Sequence, residues 1–119
     1  MTTTAQILAW IKEIRADGMA MEAASNINDK STRDKIANAA DEDQATLYTT
    51  KLGPALDEFL KTLSPEKQKE FNNMFGNFFS EAVGNLMTDA YNGDIVAASV
   101  DAGRMNSNYS QIAEFLNSN

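Results

Sequence analysis

Apolar residues recur every three or four positions along most of the chain, and almost nowhere at every second position. That spacing belongs to helices that bury one face. In the first segment Ile7, Trp10, Ile11, Ile14, Gly18, Met21 and Ser25 share one stripe, opposite Lys12, Glu13, Asp17 and Ala20, which predicts a helix from Thr4 to about Asn26. Thr3 and Gln6 stand at capping-box spacing ahead of it. Gly18 on the apolar stripe either admits a close neighbour or marks a kink. Leu8, Met19 and Ile27 lie off that stripe and offer a second apolar face, for a partner or for a neighbouring helix.

Ser31, with Asp34 three residues on, resembles an N-cap opening a second helix from Thr32 to Leu52. Its stripe is thin: Ile36, Ala40 and Leu47. Asp43 falls beside it, where a buried carboxyl would have a raised pKa and mark a site, unless it sits at the stripe's exposed edge. Gly53-Pro54 punctuates the chain, and a short third helix follows from Pro54 to Leu63. Ser64-Pro65-Glu66 starts a fourth, from Pro65 to Tyr91, which Asn92-Gly93 ends. Asp94 caps a fifth from Ile95 to Met105; Asn106 to Asn108 reads as a turn; a last helix covers Tyr109 to Leu116. The expected fold is all-α: one domain over residues 1–119, a bundle of five or six helices around a central Phe-rich helix at 65–91.

That Phe-rich segment carries two glycines in its interior, each costing roughly 1 kcal/mol relative to alanine. At about 100° per residue, Phe71, Phe75, Phe78, Phe79, Ala82 and Leu86 cover one arc, and Gly76, Ser80, Val83, Gly84 and Met87 widen it. An arc so broad suits a helix packed on two sides. Gly76, Ser80 and Gly84, spaced by four, predict a shallow groove into which a helix of the same chain or of another copy settles closely. Met74 projects among polar neighbours as an adaptable contact.

Composition narrows the chemistry. The 119 residues include no cysteine and no histidine, which removes disulfides, thiolate zinc sites and the commonest general base and metal ligand. Phosphate-binding glycine loops, the nucleophile-elbow motif and EF-hand spacing are all missing from the sequence. The expectation is a non-enzymatic protein with no cofactor and no catalytic or metal site. Charge then separates partners. Residues 1–69 carry eleven acids and nine bases, whereas residues 70–119 carry six acids and Arg104 alone. A surface of net −7 disfavours direct binding to nucleic acid. The N-terminal segment has neither a basic leader nor an uninterrupted apolar run, which predicts no membrane span and a cytoplasmic location, in a cell or an infected host.

Three functions fit these bounds. The first is a protein–protein interaction or assembly protein that binds another protein or another copy of itself. Its contact residues would be drawn from Gly76, Ser80, Gly84, Met74, Leu8 and Met19. The small size and lack of recognised motifs also suit a virus-encoded accessory or virion component. The second is an acidic inhibitor that blocks a basic nucleic-acid-binding groove of its target. The third is a bundle that holds a small apolar ligand among its phenylalanines.

Overall fold

A computed structural model describes residues 2–119, and among them every regular element is helical. Four rods run the chain. The first, α1, is Thr4–Ala24. The second, α2, spans residues 30–61: Lys30–Leu47 passes through a π-helical turn at Tyr48–Leu52 into Gly53–Lys61. The third, α3, spans residues 65–92, with a π-helical stretch at Asn77–Val83 between Pro65–Gly76 and Gly84–Asn92. The last, α4, is Ile95–Ser118.

Helix starts follow local chemistry. The Thr3 hydroxyl accepts from the Gln6 amide at 3.1 Å and the Gln6 side chain accepts from the Thr3 amide at 2.9 Å, which closes the capping box. Ser64 and Asp94 cap α3 and α4 in the same way, by accepting from the amides of Lys67 and Ala97. The start of α2 lies two residues earlier than expected. Asp29, not Ser31, is its N-cap, because its carboxylate reaches both the amide and the hydroxyl of Thr32. Gly93 ends α3 with φ +63°, a left-handed conformation that side chains resist.

The count of five or six helices is corrected to four. Gly53-Pro54 does not break the chain. Proline normally removes one helical hydrogen bond and clashes with the carbonyl four residues back. Here the wider π turn takes up the defect, and the Gly53 amide donates to the Tyr48 carbonyl five residues behind it. Gly53 is small by need, since a methyl there would lie 2.9 Å from that oxygen. The turn expected at Asn106–Asn108 is helical as well. Arg15 of α1 donates to Asn106 at 2.8 Å and lays its guanidinium over the Tyr109 ring at 4.8 Å, which ties the segment down from outside.

The rods form an elongated bundle, 47 × 25 × 18 Å. α1 and α3 pack against each other, and α2 and α4 each pack on both. The Phe-rich helix therefore shares the middle of the bundle with α1. Ile7, Ile11, Ile14 and Met21 of α1 meet Phe71, Phe78, Val83 and Leu86 of α3 and Met105 and Ile112 of α4 in one core. Rings stack down one side: Phe71 to Phe75 at 6.0 Å, Phe75 to Phe79 at 5.4 Å, and Phe79 to Tyr48 at 5.6 Å. The phenylalanines thus fill the space between helices with one another.

The buried arc of α3 is narrower than a uniform α-helical wheel predicts, for Ser80 is exposed. A π stretch turns the chain less per residue, so positions four apart drift off a common face. The close helix approach lies instead at Gly18. A methyl there would collide with Met105 Sδ and come within 3.5 Å of Leu86. Gly18→Val should accordingly cost about 1–3 kcal/mol through overpacking. Gly76 has nothing within 4 Å of where its methyl would stand, so Gly76→Ala should be neutral or stabilising by up to about 1 kcal/mol. Urea unfolding of the two variants checks both signs. In the same assay Phe78→Ala, at a fully buried ring, should cost about 3–5 kcal/mol, and Phe79→Ala, at a half-buried one, distinctly less.

Candidate functional site

The residues singled out in the sequence lie in different places. Leu8 and Met74 are half-buried and close over the core. Met74 also borders a cleft of about 570 Å³ between the start of α3 and the end of α4, with Lys67, Glu70, Glu114, Phe115 and Asn119. Ser80 faces solvent, and a methyl on Gly84 would meet only the Phe79 carbonyl, at 3.9 Å. No other helix comes within 4 Å of where a methyl on Gly76 or Gly84 would stand. Met19 is different. It is 48% exposed and lines a second cleft, of about 440 Å³, between the end of α1 and the start of α4.

That cleft also takes in Ala23 and Ile95, with Glu22, Asn26 and Ser99 as its polar members. Beside it stand the most exposed large aliphatic side chains among the described residues: Ile95 at 53%, Val96 at 76% and Val100 at 53%. At about 100° per residue, Ile95, Ser99, Gly103, Val96 and Val100 occupy one continuous arc of α4. The buried arc opposite holds Ala98, Asp101, Ala102 and Met105. The first three turns of α4 are thus inverted: large aliphatics point to water and alanines point to the core. Ala98 and Ala102 let α4 lie close against its neighbours, and the Gly18–Met105 crossing fixes which arc is inward. Sequence reasoning missed Ile95, Val96 and Val100. A wheel of residues 95–105 carries two apolar arcs, and that doubling was the available signal.

Behind each wall of this face lies a pair of carboxyls. Asp17, next to Gly18 on α1, meets Asp43 of α2. Asp89 of α3 meets Asp101 of α4, and both are only 7% exposed. One oxygen of Asp17 and one of Asp89 are buried with no donor in reach. Two carboxylates cannot bond to each other; a carboxylic acid and a carboxylate can, through one proton. Burial, then the bond to Asp43, then the charges of Asp43 and Glu13 push the Asp17 carboxyl up to about 7. Burial, then the bond to Asp101, then the charges of Asp101 and Asp94 push Asp89 up to about 7. The sequence pointed to Asp43 as the acid to watch. Asp43 itself is exposed, and the group it perturbs is its partner across the helix interface.

Among the described residues no three acidic side chains converge in a way that would hold a metal ion, and no helix is long and apolar enough to cross a membrane. An acid whose folded pKa exceeds its unfolded value of 3.8 holds extra protons in the native state between about pH 4 and pH 7. Its stabilisation is complete below that window and lost above it, so the unfolding free energy should fall as pH rises from about 5 to 8. Asp89→Asn, which carries its own donor to Asp101, should flatten that fall and be more stable than the parent at the upper end, as read by urea unfolding at both pH values. No protein-family model, no curated protein and no solved structure matches the chain.

Proposed function

We propose that the chain is a non-enzymatic protein–protein interaction module whose contact face is the arc Met19, Ile95, Val96 and Val100. The observation that carries this is the inversion of α4. A helix start with alanines inward and three large aliphatics outward leaves an apolar patch in water, and patches of this kind mark contact sites. The adjoining α1–α4 cleft gives such a contact relief as well as area.

Charge favours a different protein over a second copy. Residues 70–119 hold six acids against Arg104 alone, and Glu22 and Asp94 flank the face. Two copies would bring net −7 against net −7. A partner with an apolar centre and a basic rim meets the same surface with complementary charge, which speeds encounter and sets orientation. Its interface would follow the common pattern of a few buried anchors ringed by polar contacts.

Val96→Asp/Val100→Asp tests this. Both positions are exposed, so the double variant should melt within a few degrees of the parent. Affinity capture from the native host should yield a protein that the parent retains and the double variant loses, with direct binding of that purified protein weakened by salt. Equal retention by both forms would refute the face. A parent that elutes as a dimer on a sizing column, and a variant that elutes as a monomer, would make the occupant a second copy.

A further inference from the structure

The two ends of the contact face differ in charge, and the difference bears on what fits it. Gly18 of α1 meets Met105 and Arg15 reaches Asn106, whereas Glu22 and Asn26 share a cleft with Ile95 and Ser99. α1 and α4 therefore run in opposite directions, with a groove between them beside the face. At the start of α4 the flanking charges are carboxylates: Glu22, which lines the cleft, and Asp94, the exposed N-cap. Farther along α4 they are guanidiniums. Arg15 stands on the α1 side, over the Tyr109 ring at 4.8 Å and bonded to Asn106. Arg104 stands on the other side, about 40° round the helix from Val100, with 67% of its side chain exposed. Asp94 and Arg104 are about 15 Å apart along the axis, close to three turns. Between these ends the outward surface is Met19, Ile95, Val96 and Val100, with Ser99 and Gly103 exposed among them. Nothing lies within 4 Å of where a methyl on Gly103 would stand.

Among the described residues there is no strand, so no sheet edge offers main-chain pairing to an extended segment. Two antiparallel helices with a groove between them seat a third helix by ridge-into-groove packing. The carboxylate end calls for Lys or Arg on the partner, and the guanidinium end for Asp or Glu, about three turns away. A helix antiparallel to α4 meets this with acids in its first turn and bases in its last, the order that also suits its own macrodipole. A parallel helix would need bases first and acids last, against its dipole. We propose that the occupant of the face is an amphipathic α-helix of another protein, antiparallel to α4, acidic in its first turn and basic in its last, with apolar anchors at i, i+4 and i+7 between. This rests on the face being the contact surface, as proposed above, and adds the partner's secondary structure, direction and order of charges.

Two synthetic peptides of about 14 residues, roughly 21 Å as helices, serve as probes. Both are stapled on the polar side to hold the helix and carry leucines at i, i+4 and i+7. One has glutamates in its first turn and lysines in its last; the other has these exchanged. In an NMR titration of the full chain at low salt, the first peptide should move the signals of Met19, Ile95, Val96 and Val100 to saturation. It should bind about tenfold tighter than the second, a preference that salt reduces. A spin label on its first residue should broaden residues 103–107 more than residues 92–96. Arg104→Gln, and Asp94→Asn, which keeps the N-cap, should each narrow the preference between the peptides. Equal affinity of the two peptides, the reverse broadening gradient, or shifts away from the face would overturn the proposal. Face signals that move on dilution with no peptide present would overturn it in favour of a second copy. Val96→Asp/Val100→Asp should bind neither peptide; binding equal to the parent's would refute the face itself. A host protein that the parent retains and this variant loses, while neither peptide binds the parent, would keep the face and refute the helical occupant.

Discussion

The seam between the first and last helices holds this molecule together. α1 and α4 come from opposite ends of the chain, yet they pack along each other and meet most closely where Gly18 admits Met105. Arg15 crosses the same seam to Asn106 and Tyr109, a separation of 91 residues in sequence for the hydrogen bond. Without it α1 and α3 would still share a hairpin-like core with α2, but the inner stripe of α4, from Ala98 through Met105 to Leu116, would have no surface to cover it. Bundles of this kind gain most of their helical stability from packing, because isolated helices of this length are marginal in water.

That seam also decides what the outside looks like. The Met105 side chain fills the space that Gly18 leaves, and Ala98 and Ala102 lie buried on the same inward arc of α4. Once those turns are committed inward, the geometry of a helix leaves Ile95, Val96 and Val100 no place in the core. The exposed patch is thus the outward arc of a helix whose opposite arc is buried. A chain under selection only for solubility could hold polar residues at those three outward positions at no cost to the seam.

How much of this was legible in the sequence depends on the range of the physics involved. Caps were legible, since Thr3 with Gln6, Ser64, Asp94 and Gly93 act on amides within a few residues. The buried stripe of α1 was legible for the same reason, as an uninterrupted α-helical period. The joins at Gly53-Pro54 and Asn106–Asn108 were not. One depends on a π turn that absorbs the proline, the other on an arginine from the far end of the chain. The small-residue row at Gly76, Ser80 and Gly84 carries no close helix of the same chain, because the wheel assumed a constant turn per residue, which the π stretch at Asn77–Val83 breaks. The carboxyl pairs were half legible. Asp43 could be suspected from its place beside a stripe, but Asp17 sat on what reads as a solvent face, and only the α1–α2 contact brings the two together.

The pairs also bear on why the bundle tolerates so much negative charge. A buried carboxyl without a cation is ordinarily a liability, and replacing such groups by apolar residues often stabilises a protein. Here Asp89 and Asp101 occupy positions on the inner arcs of α3 and α4 where a leucine or valine would serve stability better.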